Sequence, residues 1–201
     1  MKPEKDMRVV RSVTTNFETR EDSGEPTIEG YFAVFDSNYQ IDKGMTESID
    51  RHAFDSTLSG DIRALTDHDT SKVLGRTTNG TLELKTDDHG LWGKVRINPK
   101  DTEAMNLYER VKRGDVSQCS FGFEITSEET EVFESGDVHW TITGVNLFEV
   151  SAVTFPAYTA TSISARSNDA KEIRKRQSEA WKERMLEKLK GASNGTKSTN
   201  A

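Results

Sequence analysis

Two side chains capable of nucleophilic attack stand next to each other in the stretch DVSQCSFGFE, Asp115 to Glu124: the Cys119 thiol and the Ser120 hydroxyl. Strict alternation marks the stretch as a strand, because successive side chains leave a strand on opposite faces. Cys119, Phe121, Phe123 and Ile125 share one face; Gln118, Ser120, Gly122 and Glu124 share the other. Buried cysteine behaves as a small hydrophobe, so Cys119 reads as packing beside the phenylalanines. Burial in apolar surroundings also suppresses its thiolate. Ser120 then points away from that core, and Gly122 on its face leaves room for a close backbone approach. The plain alternative is an outward-facing serine in a half-buried strand.

A serine nucleophile needs a base. The chain carries four histidines, His52, His68, His89 and His139, with no pair on one helix face and no zinc-ligand spacing. Three of them read as surface histidines. His68, in IRALTDHDTSKVLGR, ends an apolar segment just before a loop, a position from which an imidazole can project into a site. Glu149 sits within VNLFEVSAVTF, the most apolar run of the chain, on a strand face expected to include Leu147, Ser151 and Val153. A carboxylate in such company requires a partner. An imidazole and an arginine such as Arg76 or Arg96 are equally suitable.

The elements that must hold these residues follow from pattern and punctuation. Arg8 to Thr19 has strand composition, REDSGEPT reads as a turn, and TIEGYFAVFD as a second strand. SNYQIDKGMTESID is expected to be an irregular loop. DRHAFDSTLSG predicts a short helix capped by Asp50 and ended by Gly60. KVLGRTT precedes Asn79-Gly80, a strong hairpin signal; TLELK, the DDHG turn and LWGKVRI continue the strands. INPKDTEAMNLYERVKRGD predicts a helix capped by Asp101, with Ala104, Leu107, Tyr108 and Val111 as its apolar stripe and Gly114 at its end. HWTITGVNLFEVSAVTFPAY predicts two strands apolar on both faces, as in a closed or covered sheet. Past Tyr158 a polar linker, TATSISARSNDA, precedes a charged helix with Ile173, Trp181, Met185 and Leu189 on one stripe, then a disordered end, GASNGTKSTNA. The folded domain is placed at 8–166, with 167–201 as linker, helix and tail.

Composition narrows the function classes. The 201 residues carry a formal net charge of -7, which argues against general binding to a phosphate backbone and hence against a nucleic-acid partner. One cysteine excludes an intramolecular disulfide. No apolar run approaches the ~18 residues that span a bilayer, and MKPEKDMRVV lacks the apolar stretch of a secretory signal. No membrane association and a cytosolic location are therefore expected.

Six pieces, IEGYFAVFD, HAFDSTL, LTDHDTSKVLGRT, GLWGKVRI, SQCSFGFE and LFEVSAVTFPAY, occur in an order that resembles the prohead (capsid maturation) serine proteases of tailed bacteriophages. That family is similar in fold to the herpesvirus assemblins. The resemblance implies a mainly β (α+β) fold, a barrel-like sheet with flanking helices, here followed by a C-terminal helical tail. It implies a serine endopeptidase without a cofactor, with Ser120 as nucleophile and His68 as base. Glu149 is the third member and Asp69 the runner-up; the second histidine of the assemblins has no counterpart in the late strand. Capsid and scaffold proteins are the implied substrates, the chain itself a further one, proheads in the host cytoplasm the place, and a homodimer possible by analogy. The rival expectation is a non-catalytic assembly module on a protease-like fold.

Overall fold

Alternating apolar residues carry most of the chain into strands, and the two helices start where alternation stops. The computed structural model describes residues 9–14, 17–22, 25–155 and 160–195, with side chains of the last segment from 166 to 188. Among the described residues the strands form two sheets. The larger runs in the order β1 (Val9–Thr14), β10 (Gln118–Val132), β11 (Val138–Val153), β5 (Met45–Ile49), β4 (Tyr39–Asp42), with β6 (Arg63–Thr66) and β7 (Asp69–Arg76) branching from β11. The smaller runs β2 (Glu18–Asp22), β3 (Glu25–Val34), β9 (Gly90–Arg96), β8 (Leu82–Thr86).

The fold is mainly β, as expected, but neither sheet closes into a barrel. Among the described residues β1 pairs only with β10, and β4 and β7 end the other branches. The cause is the length of β11. One side of its 16 residues pairs with β10 throughout; the other is shared by two short parallel neighbours, β5 along Val138–Ile142 and β6 along Glu149–Ala152. The sheet therefore forks instead of rolling onto itself.

The apolar core joins the two sheets. Phe121 and Phe123 stack at 4.9 Å between centroids, and Phe54 meets Phe121 edge-on at 5.8 Å. The β3 and β9 side chains Ile28, Phe32, Leu91 and Val95 belong to the same core. Each fully buried side chain of this size contributes roughly 1.5–3 kcal/mol. The helix α1 (Thr102–Arg113) closes one flank with Ala104, Leu107, Tyr108 and Val111 buried. It forms as the sequence dictates: the Asp101 carboxylate accepts from the Glu103 and Ala104 N–H groups, and Gly114 ends it at φ 86°.

Several expectations are corrected. Residues 51–59 form successive turns, not a helix: their bonds run mostly from residue i+3 to i, as in Asp55 N–H to His52 and Thr57 N–H to Phe54. They are drawn out because they serve β11 in the gap between β5 and β6. The Ala53 carbonyl accepts from Val145 N–H (3.0 Å) and the Thr57 hydroxyl from Leu147 N–H (2.8 Å). The polar segment taken for a loop contains the antiparallel β4–β5 hairpin. Asn79-Gly80 does not close a hairpin; a 3₁₀ turn at Thr77–Asn79 with Gly80 at φ 67° carries the chain from one sheet to the other. The two late strands are the single strand β11. Arg20 to Asp22, read as turn, extend β2.

The second helix, α2 (Ala160–Gly195), begins within the expected linker. Arg166 and Ala170 are buried against the sheet and Ile173 packs beside Met45 and Trp140, so the boundary at residue 166 falls inside a helix that is partly docked. Farther along, Trp181 and Met185 are exposed; the Leu189 side chain and the end of the chain past 195 lie outside the described residues.

Candidate active site

Two neighbouring strands and one hairpin tip bring the candidate residues together. On β10 and β11 the antiparallel register sets Ser120 opposite Ser151 and Gly122 opposite Glu149. Directly opposite residues share a face, so Ser120, Gly122, Ser151 and Glu149 occupy one patch, on the side away from the aromatic core. Leu147 does not join them. A bulge at Phe148 shifts the register, so Phe123 opposes Leu147, and Leu147 packs in the core. An extra residue in one strand reverses the facing of everything beyond it.

His68 reaches this patch from the β6–β7 turn. Thr66 pairs with Asp69, leaving Asp67 and His68 as a two-residue turn with φ of 49° and 60°. Positive φ at both central residues is the type I′ geometry, tolerated by Asp and His better than by most residues but still costing on the order of 1–3 kcal/mol per strained position. The surroundings hold it there. Asp67 N–H donates to the Ala152 carbonyl (2.9 Å), and the Asp67 carboxylate accepts from Thr154 N–H (2.7 Å) and the Thr154 hydroxyl (3.2 Å). The tip is thus tied to the end of β11, and the imidazole is carried back over the patch.

The resulting contacts are specific. His68 Nδ1 lies 2.7 Å from Glu149 Oε1, with the Glu149 side chain 2% exposed and the imidazole 21% exposed. The Ser151 hydroxyl donates to Glu149 Oε2 at 2.6 Å and accepts from His68 N–H at 3.3 Å. His68 Nε2, the nitrogen left for a substrate or nucleophile, is buried and, among the described residues, has no hydrogen-bond partner. Ser120 is fully buried rather than outward-facing, and its hydroxyl donates to the Arg11 carbonyl on β1 at 2.8 Å, not to Nε2. The structure therefore joins His68 to Glu149 and sets Ser120 one strand from Ser151, with the Ser120–His68 hydrogen bond unmade.

Other candidates fall elsewhere. Asp69 is turned to Ser71, whose hydroxyl and N–H hold its carboxyl below the ordinary carboxylate range, and it stands 3.4 Å from Lys72. Arg76 pairs with Asp61, so the imidazole and not Arg76 meets Glu149. Cys119 is fully buried in the core and its Sγ–H points to the Tyr31 carbonyl at 2.9 Å. His52 and His89 lie on the surface, with His52 beside Asp55 and His89 edge-on to Tyr31. His139 differs from the surface reading: it is half-buried between the Thr46 and Ser48 hydroxyls. Among the described residues no cluster of His, Cys, Asp or Glu is placed to hold a metal, and no helix is long and apolar enough to cross a membrane.

Behind the patch lies a buried charge network. Glu47, fully buried, accepts from Arg11 (2.5 and 3.0 Å) and from Arg166 (2.8 and 3.2 Å), and Arg166 reaches on to Glu128. Burial pushes the Glu47 carboxyl up, but the two guanidiniums outweigh it and hold the group below its ordinary range. This network pins β1, whose Arg11 carbonyl holds Ser120, to β5 and α2. A groove of about 310 Å³ between the β6–β7 hairpin and α1 is lined by Asp67, Lys72, Val73, Leu107 and Arg110 among others, but not by Ser120, His68 or Glu149.

Two contributors have roles that sequence reasoning did not assign. Ser151 had a usable signal, since residues two apart on a strand share a face and Glu149 had already been singled out. Asp67 had none, because its role depends on a turn type that no glycine announces.

The sequence model described as "Caudovirus prohead serine protease" matches residues 13–176. Among solved structures, the bacteriophage T4 capsid assembly protease is similar with a TM-score of 0.49 at 11% identity, covering 73% of this chain and 97% of that one. No curated protein sequence matches. With the greater part of its length matched by that model, the chain belongs to the caudovirus prohead serine protease family.

Proposed function

We propose that this protein is a serine endopeptidase that cleaves capsid and scaffold proteins, and itself, inside assembling proheads. Ser120 is the nucleophile, His68 the general base and Glu149 the orienting carboxylate. One observation carries the reading: the part-buried 2.7 Å contact between His68 Nδ1 and Glu149, which leaves Nε2 without a hydrogen-bond partner among the described residues, with Glu149 on the strand next to that of Ser120. Serine is a poor nucleophile until a base takes its proton. Glu149 at Nδ1 selects the tautomer whose Nε2 is a bare acceptor, which is the form that can take it.

Chemistry begins with rotation of Ser120 about its side-chain bond, exchanging the Arg11 carbonyl for Nε2. The hydroxyl oxygen then adds to the substrate carbonyl while its proton passes to Nε2. Glu149 stabilises the imidazolium so formed, and that proton is returned to the leaving amine as the acyl-enzyme forms. Water repeats the sequence to release the acid. Hydrogen bonds between catalytic groups are often unmade before substrate binds, which accords with the resting position of Ser120.

A second reading, a non-catalytic assembly module, draws support from the complete burial of Ser120 and the commitment of its hydroxyl to β1. One experiment separates the two. The protein is co-expressed with its capsid neighbour, and products are weighed intact, with and without Ser120→Ala. Shortened products that vanish in the variant support the protease. Full cleavage by Ser120→Ala, or none by the wild type, would sink it.

A further inference from the structure

We infer that Ser151 is a positioning residue for the proposed catalytic machinery, the group that holds Glu149 and the His68 turn in one geometry. The inference rests on the protease reading above. Three observations carry it. Ser151 is fully buried, and its single hydroxyl proton is given to Glu149 Oε2 at 2.6 Å. Its oxygen accepts the His68 main-chain N–H at 3.3 Å, so one atom touches both members of the pair. The ladder fixes its place, with Ser120 opposite on β10 and Leu65 opposite on β6.

These bonds divide labour between two serines that share a face. Ser151 is the less suited of the two to attack: its proton goes to a carboxylate, a stronger acceptor than the carbonyl that holds Ser120, and its contact with His68 is to the main chain, not the ring. Its donated bond sets the carboxylate rotamer so that Oε1 faces Nδ1, and its accepted bond fixes where the strained turn delivers the imidazole. An alanine there would remove a donor from a buried carboxylate, whose hydrogen bonds are stronger than those between neutral groups. Glu149 would then press its charge more fully on the imidazole.

Among the described residues, the charged groups on the hairpin, β6 and β1 have partners of their own. On the hairpin, Asp67 binds Thr154 and Asp69 binds Ser71 and Lys72; on β6, Arg63, opposite Glu149 in the ladder, pairs with Asp61; on β1, the Arg11 guanidinium binds Glu47. A change in the pH response on altering Ser151 would therefore report on Glu149 and His68.

The test uses the full chain and an alkyl fluorophosphonate. The Ser120 Oγ–P bond forms as P–F breaks, fluoride leaves, and the hydroxyl proton passes to His68. Labelling rates are followed against pH in the wild type, Ser151→Ala, Ser151→Thr and Ser120→Ala. The expected result for Ser151→Ala is a rate at least tenfold lower, with the half-maximal pH moved upward by at least about half a unit and at most about two, the upper bound being the full worth of one charge-assisted bond. Ser151→Thr, which keeps the hydroxyl, restores the wild-type midpoint. A residue that merely packs would leave the midpoint in place; an unmoved or lowered midpoint overturns the inference.

Hydrogen exchange of the His68 amide supplies an arm independent of activity. Protection equal to that of ladder amides in the wild type, lost at least tenfold in Ser151→Ala, supports the role. Loop-like exchange in the wild type refutes it, including when Ser151→Ala fails to fold. Wild-type protein that never labels on Ser120 sinks the protease reading, and the exchange arm then decides the inference alone.

Discussion

Replacing Glu149 by glutamine probes the proposed chemistry most directly, because the substitution keeps shape and removes charge. The side-chain oxygen can still face His68 Nδ1, and the new amide can donate to Ser151 Oγ, reversing the present 2.6 Å bond. The tautomer with a bare Nε2 is thus preserved, and the loss is confined to stabilising the imidazolium. Charges about 4 Å apart interact by roughly 4 kcal/mol at an effective dielectric of 20. The imidazole is 21% exposed, so part of this is screened, and about 3 kcal/mol remains as an order of magnitude. That corresponds to a rate lower by about two orders of magnitude. Had the tautomer also been lost, the drop would approach the ~10⁴ seen when a triad carboxylate is neutralised in other enzymes.

The assay is cleavage of the co-expressed capsid neighbour, or fluorophosphonate labelling, at a pH on the alkaline plateau of the rate in both proteins. Urea unfolding runs in parallel to show that the variant is folded. A Glu149→Gln rate within threefold of wild type, in folded protein, would refute the reasoning, since it would mean that the buried carboxylate does not act on the imidazole during reaction. Glu149→Asp keeps the charge but withdraws it by one methylene, and should fall between the two.

Two further outcomes test the frame around the site. Glu47→Gln leaves the buried Arg11 and Arg166 guanidiniums undercompensated, and should cost about 3 kcal/mol in urea unfolding at pH 7. The folded-state carboxyl is held below its ordinary range, so its contribution is complete above the unfolded value near ~4.3 and disappears as pH falls through the folded one. The gap between wild type and variant should therefore close in acid; a cost below about 1 kcal/mol at pH 7, or a gap that widens toward acid, would contradict the network. Cys119→Ala should destabilise by about 1–2 kcal/mol through lost packing and the bond to the Tyr31 carbonyl, while cleavage stays within twofold. Loss of cleavage in a stable, folded Cys119→Ala protein would reopen the case for the thiol.

What the sequence made legible is what local rules control. α1 could be read from end to end because its cap, stripe and glycine stop all lie within about 14 residues and act on one another through space that the helix itself defines. The face assignment of Cys119, Phe121 and Phe123 held because alternation needs no distant partner. The requirement that Glu149 find a counter-group was likewise legible, since burying a lone carboxylate is costly wherever the strand ends up.

The β4–β5 hairpin was missed for the opposite reason. Its polarity looked like a loop, yet Glu47 is buried there because Arg11 and Arg166, 36 and 119 residues away, arrive to neutralise it. Residues 51–59 have the stripe of a helix, with Ala53 and Phe54 buried, but the N–H groups of Val145 and Leu147 claim a carbonyl and a hydroxyl that a regular helix would not offer. The bulge at Phe148 is the costliest omission for the site. Simple alternation puts Leu147 beside Glu149; one inserted residue sends Leu147 to the core and leaves the carboxylate on the Ser120 side.

The resting geometry also bears on how far the site stands from activity. In the proposed mechanism Ser120 would exchange the Arg11 carbonyl for His68 Nε2, and a neutral hydrogen bond of this kind is worth only about 0.5–1.5 kcal/mol net. Nε2, buried without a partner among the described residues, would gain what the carbonyl loses. The two effects nearly cancel, so orientation of the hydroxyl sets a small cost. The expensive part of the arrangement, a strained turn holding an imidazole on a desolvated carboxylate, is already in place before substrate arrives, stabilised by Asp67, Ser151 and the ladder of β11. The φ values of 49° and 60° at a non-glycine turn whose tip ends on a buried acid are the kind of strain that clusters at functional sites. That concentration of strain and buried charge at one point is why the protease reading outweighs the assembly module.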